Sequence, residues 1–245
     1  MSISPDTNLP IAGRSVAPAS LALLGAIAAM IVGWLGPLAY PFRLLTTLVH
    51  ELGHGLAALI TGGSFRNFVV FADGSGLAYT AGGWRWLIIP AGYLSVALLA
   101  TVLISLGRNP RAGRVALLIL GAALALLSLR FALPTIFSTA LVSGLLTLVA
   151  GIGIGGAILF VALRAGLGWT VFLLNLLAFR LGLSAFGDLW MLFGVTTTIG
   201  LGNRSDANAM AELTFIPAPI WAILWALLAL VMLGGALWRT WLRRS

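Results

Sequence analysis

The chain has 245 residues, of which 60% are hydrophobic and only 8% charged, against roughly a quarter charged in soluble domains. A water-soluble fold of this size cannot hide so much apolar surface. The formal charge of +8 comes from 14 arginines and no lysine, standing singly or in small groups at the ends of apolar runs. That is the flank pattern of membrane helices and argues against nucleic acid as a partner.

The first 17 residues are polar and lack the basic start of a signal peptide, since Asp6 precedes Arg14. Residues 19–38 therefore read as a retained first helix, closed by Gly36-Pro37. Pro41 opens a second helix that runs to Thr61 and stops at Gly62-Gly63. Residues 64–83 change character. Phe68-Val69-Val70-Phe71 favours a strand, Asp73-Gly74 a tight turn, and Leu77-Ala78-Tyr79-Thr80 a returning strand. Such a hairpin is tolerated at membrane depth only where protein covers it or it faces water.

Residues 84–106 form the next apolar span, followed by a basic loop at Arg108, Arg111 and Arg114. Two further spans, 115–129 and 135–163, are split by Arg130 and Pro134. Residues 170–198 are interrupted by Arg180, Gly182, Gly187 and Asp188 and read as one broken helix or two short ones. Ser205 or Asp206 can cap another helix, which Pro217 and Pro219 interrupt, and 221–238 form the last span. The expected fold is an all-α polytopic membrane protein with six to seven transmembrane helices and a short β-hairpin after the second helix, in one domain over residues 1–245. Seven crossings would put the basic loop and the C-terminal tail on the cytoplasmic side and the N-terminus opposite; a re-entrant second helix would change that parity. No cysteine is present, which excludes disulfides and thiolate metal ligands.

Both histidines of the chain lie in one pentapeptide, His50-Glu51-Leu52-Gly53-His54. On a helix, positions i and i+4 share a face, so the two imidazoles can reach one Zn2+ while Glu51 acts as general base. A third protein ligand and an open position complete such a site. Ionisable groups among Leu44-Leu45 and Leu56-Ala57-Ala58 are costly in a bilayer and face a bundle interior or a water-filled cavity. The alternative is a metal-free polar cluster that joins helices.

The third ligand must come from the remaining acidic residues. Asp73 sits in an Asp-Gly turn and Glu212 on a helix surface. Asp188 lies at membrane depth in an interrupted segment, where it can ligate a metal or pair with Arg180. Asp206 stands at a helix start, where capping is its commoner role.

At these residues the sequence resembles the site-2 protease group of intramembrane zinc metallopeptidases, closest to a compact bacterial and fungal branch. The resemblance rests on Val49 to Gly55, Thr61-Gly62-Gly63, Asp73-Gly74-Ser75-Gly76, Gly82-Gly83, Pro90-Ala91-Gly92-Tyr93-Leu94, Ser205-Asp206-Ala207, Pro217 and Trp221. It implies a Zn2+ site with His50 and His54 as ligands and Glu51 as catalytic base. It also implies a hairpin edge, around Phe68, Val69 and Val70, for an unwound substrate. The better-known members draw their third ligand from an Asn-x-x-Pro motif ending in Asp-Gly. Asn175-Leu176-Leu177 resembles its start, making Asn175 a substrate-binding candidate, but Pro and Asp-Gly do not follow. Ser205-Asp206-Ala207 is the hallmark of the compact branch, which favours Asp206; position and polarity alone favour Asp188.

The expected activity is zinc-dependent hydrolysis of peptide bonds in membrane proteins or peptides, by a multi-pass protein of the bacterial inner membrane in contact with lipid. The competing reading is a non-proteolytic membrane protein, either an inactive homologue that binds helices or a small transporter. A prenyl-protein-type peptidase needs a Glu-x-x-x-His or Glu-x-x-x-Asp helix, and Glu212 is followed by Ile216, so that pattern fails.

Overall fold

The computed structural model describes residues 8–11, 14–197 and 205–243, with the backbone alone at Arg14 and over 186–197. The elements run β1 (Leu9–Ile11), β2 (Arg14–Val16), α1 (Pro18–Trp34), α2 (Tyr40–Ile60), β3 (Ser64–Val70), β4 (Gly76–Ala81), α3 (Arg85–Leu106), α4 (Pro110–Ala132), α5 (Leu141–Arg164), α6 (Leu167–Thr197), α7 (Asp206–Thr214) and α8 (Ala218–Leu237). Five helical segments are long and apolar enough to cross a membrane: Arg85–Leu106, Pro110–Phe137, Leu141–Arg164, Leu167–Ala185 and Ala218–Leu242, with α1 as a shorter apolar helix. The chain is an all-α polytopic membrane protein with small two-stranded sheets.

Helix starts follow local chemistry. Pro110 opens α4, and the Asn109 side chain caps it by accepting from the Ala112 N–H at 3.0 Å, filling one of the donor groups a helix start leaves open. Arg111 and Arg114 thus belong to the first turns of α4 rather than to a loop. Residues 170–198 are not broken: α6 continues through Gly182 and Gly187 to Thr197, because neither glycine removes a backbone donor as proline does. The N-terminal stretch holds a short hairpin, β1 against β2, whose Leu9 is buried with Leu21 and Val171.

The helix directions correct the seven-crossing parity. On α1 and α6, Leu21 packs with Val171, and Gly25 lies against Asn175 and Leu176, so these helices run parallel. Gly107, just past α3, meets Asn175, while Gly182 faces Ala100, so α3 and α6 are antiparallel. Ser95 bonds Val49, His54 bonds Ile88, and Trp84 bonds Thr61, so α2 and α3 are antiparallel as well. Hence α1 and α2 run in the same direction, joined by a 3-10 turn at Gly36–Ala39, and make one crossing between them. Pro10 accordingly lies against Gly168 at the start of α6, which puts the N-terminal hairpin at the end of the bundle where Arg114 reaches Ala165 and Arg108 reaches Thr240.

The second hairpin packs against α2, α4 and α5. Its strands pair antiparallel from Ser64↔Ala81 to Val70↔Gly76, with an irregularity between Phe65 and Asn67. Phe65 stacks on Phe131 with ring centroids 4.2 Å apart, and the Val70 N–H donates to the Thr147 hydroxyl of α5 at 2.7 Å. Protein therefore covers the β3 side, as non-helical backbone at membrane depth requires. The motif helix admits close neighbours on two sides because it lacks side chains there. A Cβ on Gly53 would collide with Ser95 and the Ala91 carbonyl of α3, and one on Gly55 with the ring of Phe65.

Candidate metal centre

Helix α2 buries Glu51 and His54 (5% and 9% exposed) and leaves His50 half-buried. The two imidazoles face each other through Nε2, 3.1 Å apart, with ring centroids at 4.7 Å. One oxygen of Asp206, Oδ2, lies 3.2 Å from His50 Nε2 and 3.2 Å from His54 Nε2. Among the described residues these three are the group of His and acidic side chains close enough to share an ion.

Asp206 reaches this position because a neighbour takes the capping role. The Ser205 side chain accepts from the Asn208 N–H at 3.2 Å, so Asp206, first residue of α7, turns its carboxylate toward α2. Its Oδ2 is buried and has no hydrogen-bond partner apart from the approach of the two imidazoles.

The donor set suits a divalent cation such as zinc. His54 Nδ1 lies 2.7 Å from the Ile88 carbonyl; a carbonyl only accepts, so Nδ1 carries a proton, and in the neutral ring Nε2 is then the atom with the lone pair. A backbone carbonyl on the far nitrogen is the usual way a metal-binding imidazole is oriented. With neutral imidazoles whose Nε2 atoms are bare, the three donor atoms face one another at 3.1–3.2 Å, and a cation between them would offset their repulsion. Zinc–ligand bonds of about 2.0–2.1 Å at tetrahedral angles put donor atoms about 3.3 Å apart, close to the spacing found. Gly92 of α3 keeps the space clear: a Cβ there would press on both Nε2 atoms, 2.5 Å from that of His50.

Beyond the three donors, Tyr93 meets His50 edge-on at 4.7 Å and stacks on Trp225 of α8 at 5.8 Å. The Ser95 hydroxyl donates to the Gly92 carbonyl at 2.8 Å and lies 3.1 Å from that of Val49, tying α3 to α2 beside the histidines. The Glu51 side chain lies against β4, where a Cβ on Gly76 would come 2.7 Å from its Oε1.

The other sequence candidates lie elsewhere. Asp73 is exposed at the hairpin turn, where the Ser75 hydroxyl and N–H bond Oδ1 at 2.6 and 2.9 Å and hold its carboxyl below the usual carboxylate range. Glu212 is exposed on α7. Asp188 belongs to the part of α6 whose side chains lie outside the described residues, and Asp6 lies outside them altogether. Phe68, Val69 and Val70 are fully buried on β3, whereas Leu77 and Tyr79 of β4 are 45% and 47% exposed. Asn175 is buried against α3 and α6 backbone, its amide donating to Val171 and Gly107. Gly107 lies fifteen residues past Gly92, about 22 Å along α3, so Asn175 is remote from the histidine pair. Sequence reading assigned no role to Gly92, Tyr93 or the Ile88 carbonyl; the small residues of Pro90-Ala91-Gly92 were the one available sign that α3 comes close to another element.

Fold and cluster together define a membrane-embedded protein with a metal-type centre of two imidazoles and one carboxylate. Residues 23–236 match the Peptidase M50B-like family, and the chain belongs to that family, within the site-2 protease group. No curated protein and no solved structure matches the chain.

Proposed function

We propose that this chain is a zinc-dependent intramembrane peptidase, acting as one membrane-embedded domain on membrane proteins or peptides of the bacterial inner membrane. The observation that carries the reading is the mutual approach, at 3.1–3.2 Å, of His50 Nε2, His54 Nε2 and Asp206 Oδ2 one residue from a buried glutamate. His50, His54 and Asp206 would hold the zinc ion. When bound, zinc supplies Lewis-acid polarisation of the scissile carbonyl and acidifies water for attack.

The chain's own residues do the rest. Glu51 takes the proton from the attacking water and passes it to the leaving amine, a role worth about 10²–10⁴ in rate. His54 keeps its proton on Nδ1, held by the Ile88 carbonyl, so its other nitrogen stays a donor to the ion. A helical substrate must first unwind, since its carbonyls are otherwise bonded within the helix, and an extended segment can then add to a free strand edge. We assign that edge to β4 rather than to Phe68–Val70 of β3, because β3 is buried against α4 and α5, while β4 has no further strand beside it among the described residues and borders Glu51.

The test uses purified protein and a fluorogenic transmembrane peptide. Wild type should carry near-stoichiometric zinc and cleave; Glu51→Gln should keep the zinc and lose cleavage. Normal cleavage by Glu51→Gln would overturn the role of Glu51, and wild-type protein without zinc would overturn the metal site.

A further inference from the structure

The face of α2 that carries Glu51 begins with three side chains that grip the turn of the β3–β4 hairpin. Tyr40, Arg43, Thr47 and Glu51 follow at spacings of three, four and four residues, one stripe of a helix. The Tyr40 hydroxyl donates to the Ala72 carbonyl at 3.0 Å, and the Thr47 hydroxyl donates to the Gly74 carbonyl at 2.6 Å. Arg43 lies along Gly74, where a Cβ would come 2.5 Å from its Nε. The turn itself is stiff: Gly74 N–H bonds Phe71 O at 2.9 Å, Phe71 N–H bonds Ser75 O at 2.8 Å, and Asp73 accepts twice from Ser75.

Just past this turn the hairpin meets the glutamate. A Cβ on Gly76 would come 2.7 Å from Cγ and Oε1 of Glu51 and 2.7 Å from Cγ2 of Thr47. Strand β4 thus rests directly on the carboxylate. The height of β4 along α2 is fixed by the grip on its turn, and Thr47 makes the shortest bond of that grip.

We propose that Thr47 is a positioning residue for Glu51: by holding the Gly74 carbonyl it sets β4 along α2, and Gly76 then fixes the carboxylate beside the two imidazoles. This rests on Glu51 being the general base. Thr47→Val keeps the shape of the side chain and removes the donor, which lets the turn shift. Misplacement of a catalytic group by about 1 Å costs about a hundred-fold in rate. Gly76→Ala reaches the same carboxylate from the other side, without touching the hydroxyl.

The experiment measures kcat and KM on the fluorogenic transmembrane peptide, zinc content and thermal stability. It compares wild type, Glu51→Gln, Thr47→Val, Thr47→Ser and Gly76→Ala. The expected result is a kcat about a hundred-fold lower in Thr47→Val at unchanged KM and zinc, recovery in Thr47→Ser, and a similar kcat loss in Gly76→Ala. If Thr47→Val also loses zinc or folded protein, Gly76→Ala with zinc retained decides: low kcat supports the proposal and wild-type kcat overturns it. Wild-type kcat in Thr47→Val overturns it while leaving the peptidase reading intact, as does a raised KM at full kcat, which would make the strand a docking edge alone. Equal inactivity of wild type and Glu51→Gln overturns both.

Discussion

The Nδ1–H of His54 donates to the Ile88 carbonyl at 2.7 Å, and that one bond between α2 and α3 turns the opposite ring nitrogen toward Asp206. The same pairing brings Gly92, one turn further along α3, against the two imidazoles. The candidate metal centre is therefore a property of how α3 lies on α2, as much as of the histidine motif itself.

Gly92→Ala should block the centre without unfolding the bundle. Its methyl group would fill the space before both Nε2 atoms, and perturbing the surroundings of metal ligands costs about 10–100-fold in metal affinity. Zinc titration of the purified variant, with helical content followed by circular dichroism, should show that loss at unchanged helicity. Wild-type affinity would mean that the ion lies elsewhere.

Asn175→Ala should weaken the fold and spare the metal. It removes the donor to the Gly107 carbonyl where α6 meets the end of α3, at a cost of about 1–3 kcal/mol for a buried group left unpaired. Thermal unfolding in detergent should shift downward while zinc content stays at the wild-type level. Loss of zinc at unchanged stability would return Asn175 to the site.

The two ends of the bundle differ in charge, which predicts orientation. Arg108, Arg111, Arg114, Arg164, Arg239 and Arg243 belong to the end that also holds the N-terminal hairpin, and an arginine-rich end faces the cytoplasm. Gly92 lies eight residues past Trp84, about 12 Å along α3, so the metal centre belongs to the other half. The chain has no native cysteine, so single cysteines report cleanly. Thr139→Cys, between α4 and α5, should react with a membrane-impermeant maleimide in intact spheroplasts. Gly166→Cys, between α5 and α6, should react only after permeabilisation, and the reverse pattern would invert the orientation.

Much of this was legible in the sequence because its strongest signals are local. An apolar run long enough to span a bilayer, a His-x-x-x-His spacing and an Asp-Gly turn each depend on neighbours in the chain. The hairpin 64–83 and the motif helix from Pro41 are found nearly where the residues put them. What stayed hidden depends on partners far along the chain. Asp206 and Asp188 could not be separated by composition, because what distinguishes Asp206 is that Ser205 caps α7 and leaves its carboxylate directed at α2. Glycines in 170–198 read as breaks, yet α6 runs on through Gly182 beside Leu233 and Ala100. The parity of crossings failed for a similar reason. Read along the sequence, the apolar runs at α1 and α2 pass for two spans, whereas their pairings with α6 and α3 show that they run in the same direction.

The most direct measurement is the zinc content of purified wild-type and Asp206→Ala protein after identical dialysis. One zinc per chain in the wild type and almost none in Asp206→Ala, with both proteins folded, is the result expected if His50, His54 and Asp206 share the ion. Full zinc in Asp206→Ala, or none in the wild type, would contradict it.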